Sequence, residues 1–259
     1  RGIPLALAQL GEDQWARAAR GIMTTDTLPK GYSHCFELDG HEVTISGISK
    51  GAGMIKPNMA TMLGFIATDA QIDKTVLEQW CKRLANASFN RITIDGDTST
   101  NDSCILIATG QSALTITDAD SPVAEMLFNE LKIAFQLLAQ AIVRDGEGAT
   151  KFVTVEVIEA REQQEALDVA YTVAHSPLVK TAMFASDANW GKIQIWLDDV
   201  RIVEDGGRCD SYTEAAGAAI FKQSEFTVRI ALGRGDVTET IWTTDLSHEY
   251  VTINADYRS

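Results

Sequence analysis

Residues 34–51 read HCFELDGHEVTISGISKG, two β-favouring arms around Asp39-Gly40. The two-residue turn that matches strand twist needs positive φ at both central positions, and Asp-Gly meets that need. The run therefore predicts an antiparallel β-hairpin. Upstream, PLALAQLGEDQWARAARGIM has helical periodicity through Leu7, Leu10, Trp15 and Ala18, which predicts a helix over residues 4–20. Downstream, MLGFIATDA (62–70) has the length and continuous apolarity of a strand buried on both faces. Asp73 then stands as the N-cap of a helix with Val76, Leu77, Trp80, Cys81 and Leu84 on one face.

Further along, short strands are expected at RITID (91–95) and SCILIATG (103–110), separated by the polar GDTSTND. The longest helix should begin with Ser121 as N-cap and Pro122 at its first position, and stop before Gly146. KFVTVEVIEA (151–160) alternates as a strand does, SPLVKTAMFAS and ANWGKIQIWLDD read as helices, and EFTVRIALGRGDVTETIWTTD reads as a second hairpin about GRGD. Hairpins and helices mix without a βαβ rhythm. The expected fold class is thus α+β, a layered αββα-type sandwich with a second, smaller α/β part. A loop near residues 160–170 (EAREQQEALD) is the expected seam, giving a larger part over 1–160 and a smaller one over 161–259.

The 259 residues are enough for a large core, and 22 Lys+Arg against 36 Asp+Glu leave a net charge of −14. That field disfavours nucleic-acid backbones and anionic membranes as partners, and an anionic substrate would need a local cluster of cations or amide donors. No apolar run is expected to approach membrane-spanning length, and no signal-like n-region followed by an h-region is read. The four cysteines, Cys35, Cys81, Cys104 and Cys209, are widely spaced without a CxxC pair, as expected of buried free thiols in a reducing cytoplasm. The chain starts at Arg1 in what reads as helix, so a preceding segment of a longer precursor is expected.

Standard catalytic signatures are missing. SKGAGMIKP lacks the third glycine of a dinucleotide fingerprint and the GKS/GKT end of a P-loop. His34, His41, His175 and His248 have no metal-ligand spacing, and no GxSxG elbow supports a serine triad, so neither metal nor cofactor is expected. Hydroxyl chemistry without an obvious histidine base is left, and KPNMATMLGF (56–65) places Thr61 between a Pro-Asn turn and an apolar run. A hydroxyl attacks well only when a base removes its proton. If the Ala60–Thr61 bond were cut, Thr61 would gain an α-amine titrating near about 7.7–8.0, a base built into the nucleophilic residue. Its Oγ reaches the Ala60 carbonyl through a five-membered ring, and the β-methyl limits χ1. On these residues alone, a threonine at a strand start is the commoner role.

The surrounding strings are more specific. SGISKGAGMIKPNMATMLGFIATDA, DGDTSTNDS, RDGEGATKFVTVEV, SPLVKTAMFASDANWGKI and HEYVTINADYRS resemble, in order and over nearly the whole chain, the ornithine acetyltransferase (glutamate N-acetyltransferase) family. That family supplies N-acetylglutamate in the cyclic route to ornithine and arginine. The resemblance implies a precursor that cleaves itself between Ala60 and Thr61, giving α and β chains (1–60 and 61–259) that stay together, in a heterotetramer. The new N-terminal Thr61 would take acetyl from N-acetylornithine as an ester and pass it to glutamate. Residue by residue, the resemblance implies substrate contacts at Thr24, Lys50, Thr61, Glu147, Asn254 and Ser259. Lys50, close to Thr61 in sequence, suits a substrate carboxylate, and Glu147 suits an amino group.

For DTSTND (97–102) the resemblance implies a structural role near the site rather than direct catalysis. It also implies an oxyanion hole from a Thr-Gly motif upstream of Arg1. Family members divide into those that also accept acetyl-CoA as donor and those that do not, and the sequence leaves this open. Two other readings stay open: a self-processing N-terminal-nucleophile aminopeptidase or amidase, and a catalytically inactive scaffold.

Overall fold

The structure, a computed structural model, describes residues 2–56, 62–98, 101–186, 194–204 and 207–256. The chain forms two units of interleaved sequence, one from 1–51, 61–89 and 101–142, the other from 52–60, 90–100 and 143–259.

In the first unit the elements are α1 (Gly2–Leu7), α2 (Trp15–Gly21), β1 (Lys30–Leu38), β2 (His41–Lys50), β3 (Leu63–Thr68), β4 (Gln71–Ile72), α3 (Lys74–Asn86), β5 (Ser103–Ala108), β6 (Thr115–Ile116) and α4 (Pro122–Arg144), whose last residues pass into the second unit. The predicted hairpin is present: β1 and β2 pair antiparallel from Lys30↔Ser49 to Leu38↔His41, and the turn residues Asp39 and Gly40 have φ of 52° and 74°. β3 joins β2 antiparallel and β5 parallel, giving the order β1-β2-β3-β5. β4 and β6 form a separate parallel pair.

The single N-terminal helix expected over 4–20 is instead two, because Gly11 is extended (φ −170°, ψ 151°) and a 3₁₀ turn intervenes before α2. β3 also differs from expectation. Its buried and half-buried residues alternate, so among the described residues one face alone is sealed. That face meets α4, where Leu127, Leu131, Phe135 and Leu138 join Ile45, Ile66, Trp80 and Leu84 in the core. Each such side chain stabilises by about 1.5–3 kcal/mol on burial. Gly47 permits the approach, since a Cβ there would lie 3.0 Å from Ile66 Cγ1 and Leu138 Cδ1. Contrary to the expectation that no apolar run approaches membrane-spanning length, α4, with 23 residues, is by length and composition long and apolar enough to cross a membrane. Its apolarity is accounted for by this buried stripe.

The second unit holds β7 (Phe152–Ala160), α5 (Gln163–Ala174), α6 (Pro177–Ala185), β8 (Gln194–Leu197), β9 (Val200–Glu204), β10 (Gly207–Arg208), α7 (Glu214–Phe221), β11 (Glu225–Ala231), β12 (Val237–Thr244) and α8 (His248–Asp256). The sheet order is β10-β9-β8-β11-β7-β12. Ala166, Ala170 and Ala174 form a small buried stripe on α5, so this helix lies close upon a core built from Val153, Val155, Val157, Val228 and Ile241.

Three expectations fail in this unit. IQIWL belongs to a strand, β8, rather than a helix, because alternate residues Ile195 and Leu197 are buried against the sheet. β11 and β12 are not a hairpin: β7 lies between them, parallel to β11 and antiparallel to β12. The GRGD connection crosses the end of β7, where the amides of Arg234 and Gly235 donate to Glu159 O, and Gly235 leaves no room for a Cβ, which would sit 2.4 Å from Ala160 O. RITID is not a regular strand. Ile92 makes a lone bridge to Trp242, while Thr93 and Ile94 turn their polar groups to Ile55 O.

Candidate active site

Thr61, Ala60 and Ser259 lie outside the described residues. The other expected site residues fall into two groups, one in each unit.

In the first unit, Lys50 ends β2 and faces Leu63 in the β2–β3 register, and it is 6 % exposed. β3 starts beside β5, and here Met62 is held on both polar groups: its amide donates to Asp102 Oδ1 at 2.8 Å, and its carbonyl accepts from Ser103 N at 3.0 Å. Burial pushes the Asp102 carboxyl above its ordinary pKa, and the Met62 amide and the Lys50 charge offset part of that. Thr24 is exposed, but its amide donates to Asp26 Oδ2 at 3.1 Å. Oδ1 of the same carboxylate accepts from Gly51 N at 2.8 Å and pairs with Lys30 Nζ at 2.6 Å. Asp26 thereby ties the Thr24 turn to the residue after Lys50. Burial alone would raise its pKa, yet the Gly51 amide, Lys30 and the Thr24 amide together bring it below the ordinary value.

In the second unit, α4 has ended and Gly146 turns the chain, its amide donating to Val143 O. Glu147 N then donates to Ala52 O at 2.8 Å, and Asn254 Nδ2, on α8, donates to Glu147 Oε2 at 2.8 Å. The Glu147 carboxylate lies over Gly53, where a Cβ would come within 2.6 Å of Oε2. Two residues implicated by resemblance, Glu147 and Asn254, are thus in contact. α8 is seated by Gly148, whose φ is +65°, because Ser247 Oγ donates to Gly148 O at 2.5 Å.

Asp95 completes this group. Its Oδ2 accepts from Met54 N at 2.7 Å and from Tyr250 OH at 3.2 Å, and its Oδ1 accepts from Ile55 N at 3.2 Å. Ile55 O accepts from Thr93 Oγ1 at 2.9 Å and from Ile94 N at 3.0 Å. Thr93 Oγ1 meets His175 Nε2 at 2.9 Å, and since that hydroxyl donates to Ile55 O, the imidazole is the donor to Thr93. Burial, with Lys56 and Lys180 nearby, lowers the His175 pKa, and the same cause raises that of Tyr250 beside Asp95. Lys180 is buried; its Nζ donates to Thr243 Oγ1 at 2.9 Å and to Thr244 O, and burial brings its pKa down to about 8.

Asp26, Asp95 and Tyr250 were not singled out from sequence, and Asp102 only as part of a polar loop. Aspartates among threonine, asparagine, serine and glycine read locally as turn formers. Apart from the Thr24–Lys30 turn and the Asp97 amide on Asp95, the partners of these aspartates lie 25 to 155 positions away. The cysteines are less buried than expected: Cys35 is exposed, Cys81 and Cys104 are half-buried, and Cys209 alone is buried. The Cys81 thiol meets Cys104, donating to its carbonyl at 3.9 Å.

Comparison with known proteins gives these residues a context. The ArgJ family model matches residues 1–259. The chain is 59% identical to the arginine biosynthesis bifunctional protein ArgJ of Pseudomonas fluorescens, over 98% of this chain and 67% of that protein. It is 58% identical to the protein of the same name from Pseudomonas syringae pv. tomato, with the same coverage. Among solved structures, the arginine biosynthesis bifunctional protein ArgJ of Bacillus halodurans superposes with a TM-score of 0.68 at 35% identity, covering 73% of this chain and 96% of that one. These matches bear out the resemblance read from the motifs and the mixed α+β class, and the chain belongs to the ArgJ family.

Proposed function

We propose that this chain is an acetyltransferase of arginine biosynthesis that moves acetyl from N-acetylornithine to glutamate through an acetyl ester on Thr61. The observation that carries the reading is the family match over residues 1–259, which includes the AT pair in KPNMATMLGF. The contact between Glu147 and Asn254 and the buried Lys50 support it, because a carboxylate with an amide partner suits a substrate amine and a buried cation suits a substrate carboxylate.

In this scheme Thr61 Oγ first attacks the Ala60 carbonyl carbon. The C–N bond breaks as the C–O bond forms, the nitrogen takes the hydroxyl proton, and water then hydrolyses the ester to leave the Ala60 carboxylate and a free N-terminal threonine. In transfer, the α-amine of Thr61 accepts the hydroxyl proton as Oγ attacks the acetyl carbon, and the amide nitrogen leaves as the ornithine amine carrying that proton. The glutamate amine then attacks the acetyl ester, restoring the hydroxyl. Lys50, Thr24, Glu147, Asn254 and Ser259 hold the substrates. The curated relatives are named bifunctional, and the proposal extends to acetyl-CoA as a second donor, with no resident cofactor or metal. The two pieces remain together as a cytoplasmic heterotetramer.

The test is a denaturing gel with N-terminal sequencing, followed by an acetyl-transfer assay. Two chains are expected, the larger beginning Thr-Met-Leu-Gly, and Thr61→Ala should abolish both cleavage and transfer. An intact chain after folding of the full precursor, or amide hydrolysis dominating over transfer to glutamate, would overturn the reading.

A further inference from the structure

Two carboxylates stand near the ends of the stretch DGDTSTND (95–102), and each holds backbone on a different side of Ala60–Thr61. On the leaving side, Asp95 uses both oxygens, accepting from Met54 N at 2.7 Å and Ile55 N at 3.2 Å. Thr93 Oγ1 and Ile94 N add two donors to Ile55 O, and Glu147 N adds one to Ala52 O. The run from Ala52 to Ile55 is therefore strapped through amide and carbonyl groups alike. On the nucleophile's side, Asp102 uses one oxygen, accepting from Met62 N at 2.8 Å, while Ser103 N holds Met62 O at 3.0 Å.

We propose that Asp95 and Asp102 are positioning residues that fix the two flanks of the self-cleaved bond: Asp95 the segment before it, and Asp102 the residue after Thr61. This rests on the reading of Thr61 as nucleophile. A nucleophile aimed by its own backbone loses rate steeply when that backbone is released, since reactivity depends on the bound geometry of the reacting atoms. Asp102 holds Met62, the residue that follows Thr61 in the chain, and this contact does not depend on whether the Ala60–Thr61 bond is intact. Asp95 anchors a segment that is no longer joined to Thr61 once the bond is cut. Thereafter it acts on Met54, the neighbour of Gly53 beneath the Glu147 carboxylate, and on α8 through Tyr250. The two residues must therefore differ in which kinetic constant they control.

The experiment follows self-cleavage of the full precursor in timed cell-free synthesis, then steady-state transfer from N-acetylornithine to glutamate by the cleaved enzyme. Asp102→Ala should slow cleavage and lower kcat, each about tenfold, with KM unchanged. Asp95→Ala should slow cleavage comparably, but afterwards raise KM with kcat kept within about threefold. Asparagine separates the pair further and guards against misfolding of the alanine variants. Asp102→Asn keeps the one acceptor Met62 needs and should restore wild-type rates, whereas Asp95→Asn supplies one acceptor where the amides of Met54, Ile55 and Asp97 are shared between two oxygens, and should not. Assays run at a fixed interval below each variant's own Tm remove general stability from the comparison. If both aspartates change the same constant, or Asp95→Asn cleaves as wild type does, the inference is overturned while the acetyltransferase reading stands. A wild-type chain that neither cleaves nor transfers overturns that reading itself.

Discussion

Asn254 Nδ2 donates to Glu147 Oε2 at 2.8 Å, and the Glu147 carboxylate rests on the bare Cα of Gly53. The stretch before the Ala-Thr pair, the turn after the longest helix and the C-terminal helix thus converge on one carboxylate. A Cβ at Gly53 would lie 2.6–2.8 Å from three atoms of that carboxylate. The displaced group is the free end of a flexible side chain, and Gly53 is not among the positive-φ glycines. Gly53→Ala should therefore leave Tm within about 2 °C while raising KM for N-acetylornithine several-fold, as differential scanning fluorimetry and initial rates would report.

Gly148 presents the opposite case. Its φ is +65°, and a Cβ there would fall 2.4 Å from Tyr250 N and 2.9 Å from Glu249 C. Backbone cannot swing aside as a carboxylate can. Gly148→Ala should unseat α8, cost upwards of about 2 kcal/mol and expose the C-terminal residues to limited proteolysis. Wild-type resistance to protease in this variant would contradict that seating.

Asp26 is buried with Lys30, and it also satisfies the amides of Thr24 and Gly51. Asp26→Ala leaves a buried ammonium without its carboxylate and should cost about 3–5 kcal/mol in urea unfolding. The sign with pH follows from its depressed pKa. The stabilisation is complete above the unfolded carboxylate value near about 3.9 and is lost as pH falls through the lower folded value. The alanine variant should lack that part of the acid transition.

Lys180 acts at the alkaline side. Its folded pKa is about 8 against an ordinary 10.5, so between these values the unfolded chain binds more protons than the folded one. Stability should rise with pH across that window, because folding no longer buries a charge. Above about pH 10 the raised phenol pKa values of Tyr171 and Tyr250 reverse the trend, since the unfolded tyrosines ionise first. Chemical denaturation between pH 8 and 9.5 should show the rise in the wild type and a flat profile in Lys180→Met.

Much of this was legible in the chain itself. Asp39-Gly40 specified a turn, and with it the β1–β2 hairpin, because both signals are adjacent in sequence. Ser121-Pro122 marked the start of α4, with Ser121 Oγ accepting from Ala124 N at 3.3 Å, and Gly146 marked the turn beyond its end. Asp73 occupied its predicted N-cap, although its side chain caps nothing. The motif order around KPNMATMLGF pointed to the family that the comparisons show.

Strand neighbours and polar partners were another matter. GRGD looks the same locally whether β11 and β12 pair with each other or admit β7 between them, and only the packing of β7 on both decides. IQIWL alternates over too few residues to distinguish strand from helix until Ile195 and Leu197 find the sheet. Asp26 and Asp102 read as loop aspartates, and Asp95 as the end of a short strand, because the donors a carboxylate will meet carry no periodicity. Their roles arise when distant amides, those of Gly51, Met54, Ile55 and Met62, are carried to them. Local pattern sets which segments become helix or turn, since that depends on neighbouring φ/ψ and side-chain period. Which carboxylate holds which flank of Ala60–Thr61 depends on chain closure over tens of residues, and that the fold alone decides.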